Sequence, residues 1–436
     1  MKLSKHKLGE LIEVTRGASL SGQFYAEKGE LIRLTLGNFN MNGGGFKENT
    51  SKTNLYYTGT VKDEFILNKG DIITPLTEQS LGLLGTTARI PESGKYIQSQ
   101  DVALVKCKEG LLDPNFCYYL ISSSVVRQQL SAGAQQTKIR HTSPDKIKDC
   151  TAWVPELEVQ KRIGRILYDI DEKIALNRQI NDNLEAIAKQ LYDYWFVQFD
   201  FPNEEDKPYK SSGGAMVWNE KLKREIPEGW EVKQLRDIIE TNRDISYNTS
   251  SISGGGVPMI NLASFNVDGS YKDTGLKSYN GNYTQEKILR PFDLVLCNTQ
   301  QTAIEFSKDI IGKAFLIPDI FDGDIVSSHH INTIKTEEVL KPYLAYLSNT
   351  YHFHKYATGC CSGTNILGLD YNSFSQYKLE IPPKYLLKEF RDFIIDIGKR
   401  KSLIIKENKL LTKQRNELLP LLMNGQASVN YHLSAY

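Results

Sequence analysis

The sequence lacks cysteine pairs at metal-site spacing and lacks any run of about 18 apolar residues. Six cysteines scattered through 436 residues are typical of reduced thiols in an intracellular protein, because secreted scaffolds pair their cysteines. The N-terminal stretch MKLSKHKLGELIEV has no apolar signal core. We therefore expect a soluble, cytoplasmic protein with no membrane partner.

Net charge is also nearly absent. The 53 basic and 52 acidic side chains leave a formal charge of +1. The chain therefore has no overall electrostatic field that indicates a nucleic-acid or membrane partner, and any basic surface has to be local. The length predicts two or three domains, and 40% hydrophobic residues are enough to build their cores.

Motifs for cofactor binding are missing as well. No glycine fingerprint follows a predicted strand, and the glycine triplets at 43–45 and 254–256 lack the GK[ST] ending of a phosphate-binding loop. The motif beginning at Asp113-Pro114 resembles the Asp/Asn-Pro-Pro-Tyr/Phe loop of amino-methyltransferases, but Asn115 stands where the second proline belongs. A helix start at Pro114 explains this motif better. We predict no cofactor.

Catalytic and metal sites are predicted to be absent too. Pro144-Asp145 followed by Asp171 and Lys173 fits a nuclease pattern only loosely, because the last two fall on a long helix. The clustered His352, His354, Cys360 and Cys361 include adjacent cysteines, which lack the spacing of zinc ligands. We therefore predict no catalytic residue and no metal ligand.

A heptad pattern dominates the middle of the chain. Steps of four and three from Ile163 meet Ile163, Leu167, Ile170, Ile174, Asn177, Asn181, Leu184, Ala188, Leu191 and Trp195. This seam predicts one long helix over about 155–198 that needs a helical partner, since about 40 residues form a rod of roughly 60 Å.

The partner lies in the same chain. The pattern returns over 382–425, and equivalent positions such as Ile163 and Phe390, or Asn181 and Asn408, are 227 positions apart. Polar residues at seam positions fix register and pairing. We predict that the two helices pair as an antiparallel coiled coil, although two unrelated amphipathic helices are the alternative.

The globular parts repeat at nearly the same interval. Residues 1–154 contain the apolar runs LIEVT, LIRLTL, DIIT, TTARI and DVALVK, followed by the predicted helix PNFCYYLISSSVVRQQL. Residues 230–381 repeat this order, while residues 199–229 form a connector and 426–436 a tail. The scaffold repeats and the loops differ, which indicates one kind of task performed on two targets.

Polar side chains that suit base edges and phosphates concentrate in the loops of both copies. Asn and Gln pair bidentately with adenine, and Arg and Lys pair with guanine or phosphate. The alternative for any single residue is that it only ends a strand. The candidate DNA-binding residues are Asn38, Asn40, Asn42, Gln79, Ser80, Gln135, Gln136, Lys138, Arg140, His141, Asn261, Ser264, Asn266, Asn298, Gln300, Gln301, Thr364 and Asn365.

Three segments together carry a resemblance to a known family. LEVQKRIGRIL, KQLYDYWFVQFDFP and KLKREIPEGWEVKQL resemble the central conserved region of specificity (S) subunits of type I restriction–modification systems, and the likeness covers the whole chain. It implies an α+β fold with a pseudo-twofold internal repeat. In that fold two strand-rich target recognition domains are separated by the antiparallel coiled coil.

The same resemblance implies the function and the partners. Each domain would read one half of a bipartite double-stranded DNA target, and the coiled coil would set their separation. Two methyltransferase (modification) subunits and ATP-dependent restriction subunits would carry out methylation and cleavage, so the chain itself would be non-catalytic. The alternatives are a self-contained adenine methyltransferase or nuclease, and a coiled-coil scaffold that binds only proteins.

Two features depart from a regular coil. Lys401 and Arg415 occupy seam positions where the first helix has Ile174 and Ala188, which a weaker coil or a covering partner would explain. The candidate partner-binding residues are aromatic, since aromatics favour interface cores, and their alternative is burial against the connector. They are Tyr192, Tyr194, Trp195 and Phe196.

Overall fold

In a computed structural model of the chain, the structure describes residues 2–41, 44–78, 81–133, 140–301 and 305–427. The chain divides into two compact units, one formed by 1–175 with 409–436 and the other by 176–408. Both units draw residues from each long helix. The predicted domain boundaries therefore differ from these units, and they stay a prediction.

The first part of the chain contains a mixed set of short strands and helices followed by the first long helix, α5, whose last part belongs to the second unit. Its elements are β1 Leu3–Lys7, α1 Leu8–Leu11, β2 Ile12–Arg16, β3 Tyr25–Ala26, β4 Leu31–Arg33, β5 Tyr56–Tyr57, β6 Ile72–Pro75, β7 Thr77–Glu78, β8 Ala88–Arg89, β9 Tyr96–Ile97, β10 Val102–Cys107, α2 Pro114–Ser122, α3 Ser124–Ala132, β11 Arg140–His141, α4 Pro144–Asp149, β12 Thr151–Pro155 and α5 Leu157–Tyr192.

The second part of the chain begins with two connector strands, repeats the same order of elements and ends in the second long helix, α9, whose last part belongs to the first unit. Its elements are β13 Met216–Asn219, β14 Arg224–Pro227, β15 Glu231–Gln234, β16 Glu240–Arg243, β17 Ile252–Ile260, β18 Lys277–Tyr279, β19 Leu294–Cys297, β20 Thr299–Gln301, β21 Ala314–Leu316, β22 Val326–Ser327, β23 Ile331–Lys335, α6 Leu340–Ser348, α7 Tyr351–Gly359, β24 Cys361–Ser362, β25 Ile366–Leu369, α8 Tyr371–Phe374, β26 Lys378–Ile381 and α9 Lys384–Met423.

The sheet topology confirms the internal repeat. The order β2-β10-β6-β8 in the first unit matches β16-β23-β19-β21 in the second. The pair β1-β12 likewise matches β15-β26, and β7-β11 matches β20-β25. The central strands are near-continuous apolar runs because both of their faces are covered, as in β10, where Val102–Val105 are buried.

In the first unit the two long helices run antiparallel. Ile163 and Leu167 of α5 share a buried cluster with Leu422 of α9. Farther along α5, Asp171 Oδ1 accepts from Arg415 Nη1 at 2.7 Å. As the residue number increases along α5, the number of the contacting residue on α9 decreases. The predicted antiparallel pairing is therefore confirmed here.

The second unit contains the next stretch of the same pairing. Asn177 Nδ2 donates to Asn408 Oδ1 at 3.0 Å, and Glu185 forms an ion pair with Lys401. Asn408 therefore contacts Asn177, whereas Asn181 is only its equivalent in the repeat. Lys401, like Arg415, is not a weak point of the coil, because an acidic side chain on α5 pairs with it.

Two boundaries differ from the sequence predictions. The helix expected over 114–130 is two helices, because Ser123 has extended backbone (φ −65°, ψ 153°) and its side chain caps the second one at Val126. Pro155 ends strand β12 and does not begin the long helix, which starts at Leu157. Proline has no N–H to donate, so it tolerates either position.

Candidate nucleic-acid interface

In the first unit, a short ladder between β7 and β11 brings together the described flanks of two predicted recognition loops. Glu78 pairs with Arg140 and Thr77 with His141. One loop leaves β7 after Glu78, and the other enters β11 at Arg140. The predicted residues Gln79, Ser80, Gln135, Gln136 and Lys138 belong to these loops and lie outside the described residues.

The ladder carries an ion pair between a buried carboxylate and a partly exposed guanidinium. Glu78 is 2% exposed, and its Oε1 lies 3.1 Å from Arg140 Nη1. Arg140 thus lies at the start of β11, next to the predicted loop, and its charge is paired with Glu78. His141, the next residue, is exposed, and its contact with DNA stays a prediction.

The second unit has the equivalent ladder between β20 and β25. Gln300 pairs with Leu367 and Gln301 with Ile366. Thr364 and Asn365 directly precede β25 and are exposed. Each ladder joins the same two parts of its own copy of the repeat. The internal repeat therefore extends to the strands that flank the predicted recognition loops.

Buried amides line the second ladder. Asn298 Nδ2 donates to the carbonyl of His329 at 3.2 Å, and Gln300 is 5% exposed. Within the described part of the chain, Asn298 Oδ1 and Gln300 Nε2 have no hydrogen-bond partner. These amides lie below the surface and are not free for a base edge in this conformation.

A partly exposed histidine adjoins this ladder. His330 Nδ1 lies 2.7 Å from Thr299 Oγ1. Burial lowers the pKa of His330, and the neighbouring His329 and Lys277 lower it further. The imidazole is therefore neutral over a wider pH range than usual.

A second group of predicted residues makes hydrogen bonds to the backbone of nearby turns. Asn38 is 2% exposed, and its Oδ1 accepts from the N–H of Thr35 at 2.9 Å. Asn261 Nδ2 donates to the carbonyl of Gly275 at 2.7 Å, and the buried Ser264 Oγ accepts from the N–H of Asn261 at 3.1 Å. These three side chains cap equivalent turns, so the interface proposed below excludes them.

The turns that follow carry the remaining asparagines. Asn40 begins a turn whose Gly45 N–H donates to the carbonyl of Thr87 at 2.9 Å. Asn266 Nδ2 donates to Ser270 Oγ at 2.9 Å. Both residues are partly exposed, while Asn42 lies outside the described residues.

The aromatic cluster predicted to bind a partner lies mainly in the core of the second unit. Tyr192 and Phe196 are 3% and 1% exposed, and Phe196 packs on Phe390 with ring centroids 4.9 Å apart. Trp195 is half-buried against the same core. Only Tyr194 is exposed, at 38%. Tyr192 and Phe196 are therefore covered by the chain itself, and the partner-binding role of this cluster stays a prediction.

Exposed apolar residues lie elsewhere on the long helices. Leu176, Ile180 and Ile187 of α5 follow helical spacing on one face and are 53%, 38% and 47% exposed. On α9, Leu403 and Leu410 are 67% and 68% exposed. Sequence reasoning missed this stripe as a surface.

The described residues contain no group of three or more His, Cys, Asp or Glu arranged to hold a metal ion. His354 is 4% exposed and its Nδ1 lies 2.9 Å from the carbonyl of Ile311, which is a structural contact. Among the same residues, no helix is long and apolar enough to cross a membrane.

Comparison with known proteins identifies the class. The family model for the type I restriction modification DNA specificity domain matches residues 2–186 and again 227–412. Together with the repeated sheet topology, these two matches define a protein with two copies of one DNA specificity domain. Since the two matches span more than half of the sequence, the chain belongs to the type I restriction–modification DNA specificity family. The predicted family and its DNA-specificity function are confirmed.

Individual relatives agree with this membership. The chain is 22% identical to a type I restriction enzyme specificity subunit of Methanocaldococcus jannaschii, over 74% of this chain and 71% of that protein. It is also 22% identical to the HindI specificity subunit of Haemophilus influenzae, over 76% and 81%. The crystal structure of an S subunit from M. genitalium matches with a TM-score of 0.59, 14% identity and coverage of 97% and 96%, which supports the fold.

Proposed function

We propose that the chain is a non-catalytic specificity subunit that reads a bipartite DNA duplex, with one half-site for each globular domain. The observation that carries this proposal is the equivalence of the ladders β7–β11 and β20–β25. Each ladder presents two polar loops at the same point of a repeated scaffold. The exposed His141, Thr364 and Asn365, with the loop residues next to them, supply the groups that contact bases and phosphates.

The long helices act in this proposal as the spacer between the two reading domains. The domains are 1–154 and 230–381, and the spacer helices are 155–198 and 382–425. Helices stiffened by antiparallel pairing hold a fixed separation better than a flexible linker does. Half-sites at a fixed spacing are the natural target of such an arrangement.

Two modification subunits and the restriction subunits dock on this chain and supply the methylation and cleavage, in the cytoplasm. The exposed stripe of Leu176, Ile180 and Ile187 supports a docking role, because contiguous exposed apolar residues mark interaction sites. Leu403 of α9 is the repeat equivalent of Leu176 and is also exposed, whereas the equivalents of Ile180 and Ile187 are Glu407 and Gln414. The two long helices therefore offer different faces to their partners.

The decisive experiment is a domain exchange. The duplex bound by the complex of this chain with modification subunits is first selected from a random library. Residues 230–381 are then replaced by the equivalent domain of a relative. We expect one half-site to change and the other half-site and the spacing to stay. A change in both halves contradicts the division into reading domains, and methylation by the purified chain alone contradicts the non-catalytic role.

The spacer role has its own test. Inserting four residues into either long helix adds about 6 Å of length. We expect the separation between the selected half-sites to change while their sequences stay the same. An unchanged separation contradicts the role of the helices as a spacer.

A further inference from the structure

A network around Glu78 ties together the described residues that flank both recognition loops of the first domain. The Glu78 Oε2 accepts the backbone N–H groups of Gly82, Leu83 and Leu84 at 3.1, 2.9 and 3.1 Å. Its Oε1 faces Arg140 at 3.1 Å. A carboxylate that is 2% exposed is tolerable only with such a full set of donors.

Arg140 extends the network to a third segment. Its guanidinium donates to the Ser131 carbonyl and, at 3.1 Å, to Ser131 Oγ, so β11 is tied to the last turn of α3. The side chain of Arg140 is 19% exposed. A planar guanidinium can hold both Glu78 and Ser131 in one geometry, which a lysine ammonium cannot do as well.

The second domain does without this network. The ladder position equivalent to Glu78 is Gln300, and Leu367 stands where the first domain has Arg140. Leucine can neither donate a hydrogen bond nor form an ion pair. Any role of the Glu78–Arg140 pair is therefore confined to the first domain, and the second domain is an internal control.

We infer that Glu78 and Arg140 are a positioning pair that sets the specificity of the first half-site without reading a base themselves. This inference rests on the proposed function. A buried ion pair adds little net stability compared with apolar side chains of similar size, and its better-attested use is to select one arrangement. Here the pair would fix the relative positions of the strands β7 and β11, which flank the two recognition loops. This role replaces the prediction that Arg140 contacts DNA directly.

The test compares Arg140→Met with wild type in the assembled complex with modification subunits. Affinity is measured for the selected duplex and for single-base variants of each half. We expect discrimination in the first half-site to fall about tenfold or more, the scale of one lost bidentate base contact. Discrimination in the second half-site should stay as in wild type. Leu367→Met, at the equivalent position of the second domain, is the matched control and should change neither.

Two further variants separate positioning from direct contact and from simple folding. Arg140→Lys should retain more discrimination than Arg140→Met, because lysine keeps the positive charge but lacks the planar guanidinium. The exchange Glu78→Arg with Arg140→Glu should not restore it, since arginine cannot accept the three N–H groups at 82–84. Restoration by the exchanged pair would overturn the role of Glu78 as the anchor of that turn.

The salt dependence of binding gives an independent readout. A lost phosphate contact weakens binding to all duplexes and lowers the salt slope by about 1. Arg140→Met should leave this slope unchanged. A reduced slope with intact discrimination would show that Arg140 contacts phosphate, and equal losses in both half-sites would show a general folding defect. Either result overturns the inference, while failure of the wild-type complex to select any duplex contradicts the proposed function itself.

Discussion

The two recognition domains share a backbone ladder and differ in the side chains on it. In the first domain one residue pair of the ladder is the ion pair of Glu78 and Arg140, and the equivalent pair in the second domain is Gln300 and Leu367. The backbone hydrogen bonds of a ladder do not depend on the side chains, so the register survives while the chemistry diverges. A repeated scaffold can thus carry two unlike reading surfaces.

The long helices show the opposite relation, because the acids and bases that form similar ion pairs in the two units are not at repeat-equivalent positions. Tyr119 OH donates to Asp171 at 2.7 Å, and Asp171 pairs with Arg415. In the second unit Tyr346 contacts Glu185, which pairs with Lys401. In each unit a tyrosine from the globular part meets an acid on α5 and a base on α9, which links the domain to the helices by the same means.

The chemistry of these tyrosines reflects their burial. Burial raises the pKa of Tyr346 well above its usual value, and the Glu185 carboxylate raises it further. The pKa of Tyr119 is raised for the same two reasons, with Asp171 as the acid. Both phenols therefore stay protonated and can donate to their carboxylates.

The largest expected effect comes from truncating core residues at the ends of the long helices, where the two units differ in residue type. Phe196 and Met423 are repeat equivalents, and they are 1% and 5% exposed. Phe196→Ala should destabilise its unit by about 4 kcal/mol and Met423→Ala by about 3 kcal/mol, because the aromatic ring leaves the larger cavity. Urea unfolding followed by hydrogen exchange measures each unit separately.

Val197→Ala is the control for this comparison, since Val197 is 48% exposed and its truncation should cost little. Equal losses in both units from either core substitution would contradict the assignment of Phe196 and Met423 to separate cores.

An intermediate effect is expected at two asparagines of the helix seam. Asn177 is 2% exposed and its Nδ2 donates to Glu407 Oε2 at 2.7 Å and to Asn408 Oδ1 at 3.0 Å. Asn181 Oδ1 has no hydrogen-bond partner among the described residues. Asn177→Leu should cost about 2 kcal/mol, whereas Asn181→Leu should stabilise by about 1 kcal/mol, since only the first removes a satisfied polar contact.

Thermal and urea unfolding of the two leucine variants, prepared in parallel, measure this difference. The variants introduce the same side chain into the same helix, so each serves as the control for the other. Destabilisation by both would contradict the unequal roles of the two asparagines.

The smallest expected effect is a pH dependence that only the second unit has. Asp244 accepts from Thr333 Oγ1 at 2.8 Å, and burial raises the pKa of its carboxyl group. Its repeat equivalent is Gly17, where an added Cβ would lie 2.3 Å from the carbonyl oxygen of Gln98. The first unit thus has no room for a side chain at this position.

The sign of the pH effect follows from the raised pKa. The folded state retains the Asp244 proton to a higher pH than the unfolded chain, so this group loses stabilising effect as pH rises from about 3.8 through the folded pKa. Asp244→Asn should gain stability relative to wild type over this interval and no further above it. Urea unfolding between pH 4 and 7 measures the difference, and a constant offset would contradict the assignment.

Much of the fold was predictable from local pattern. The heptad seam beginning at Ile163 and its repetition from Phe390 predicted both long helices, and the repeated order of apolar runs predicted two similar domains. The pattern could not tell that Asn408 contacts Asn177, because a repeat interval relates equivalent positions and not contacting ones.

The candidate site was predicted less completely. Asn38, Asn261 and Ser264 suited base contacts by residue type, but the same amide and hydroxyl groups cap turns. Glu78 was missed, because an acidic residue beside a DNA-binding loop does not suggest nucleic-acid recognition until its donors are known. A lone glutamate after a strand carries no signal that separates an anchor from a solvated charge.

The order of apolar and polar residues along the chain determined the helices, the strands and the internal repeat, since these depend on periodicities of a few residues. Tertiary structure alone decided which surfaces are covered and which charges are paired. It buried Tyr192 and Phe196, left Leu176 and Leu403 exposed, and joined Glu78 to Arg140. Burial and pairing depend on residues brought together from distant parts of the chain, and no local pattern specifies them.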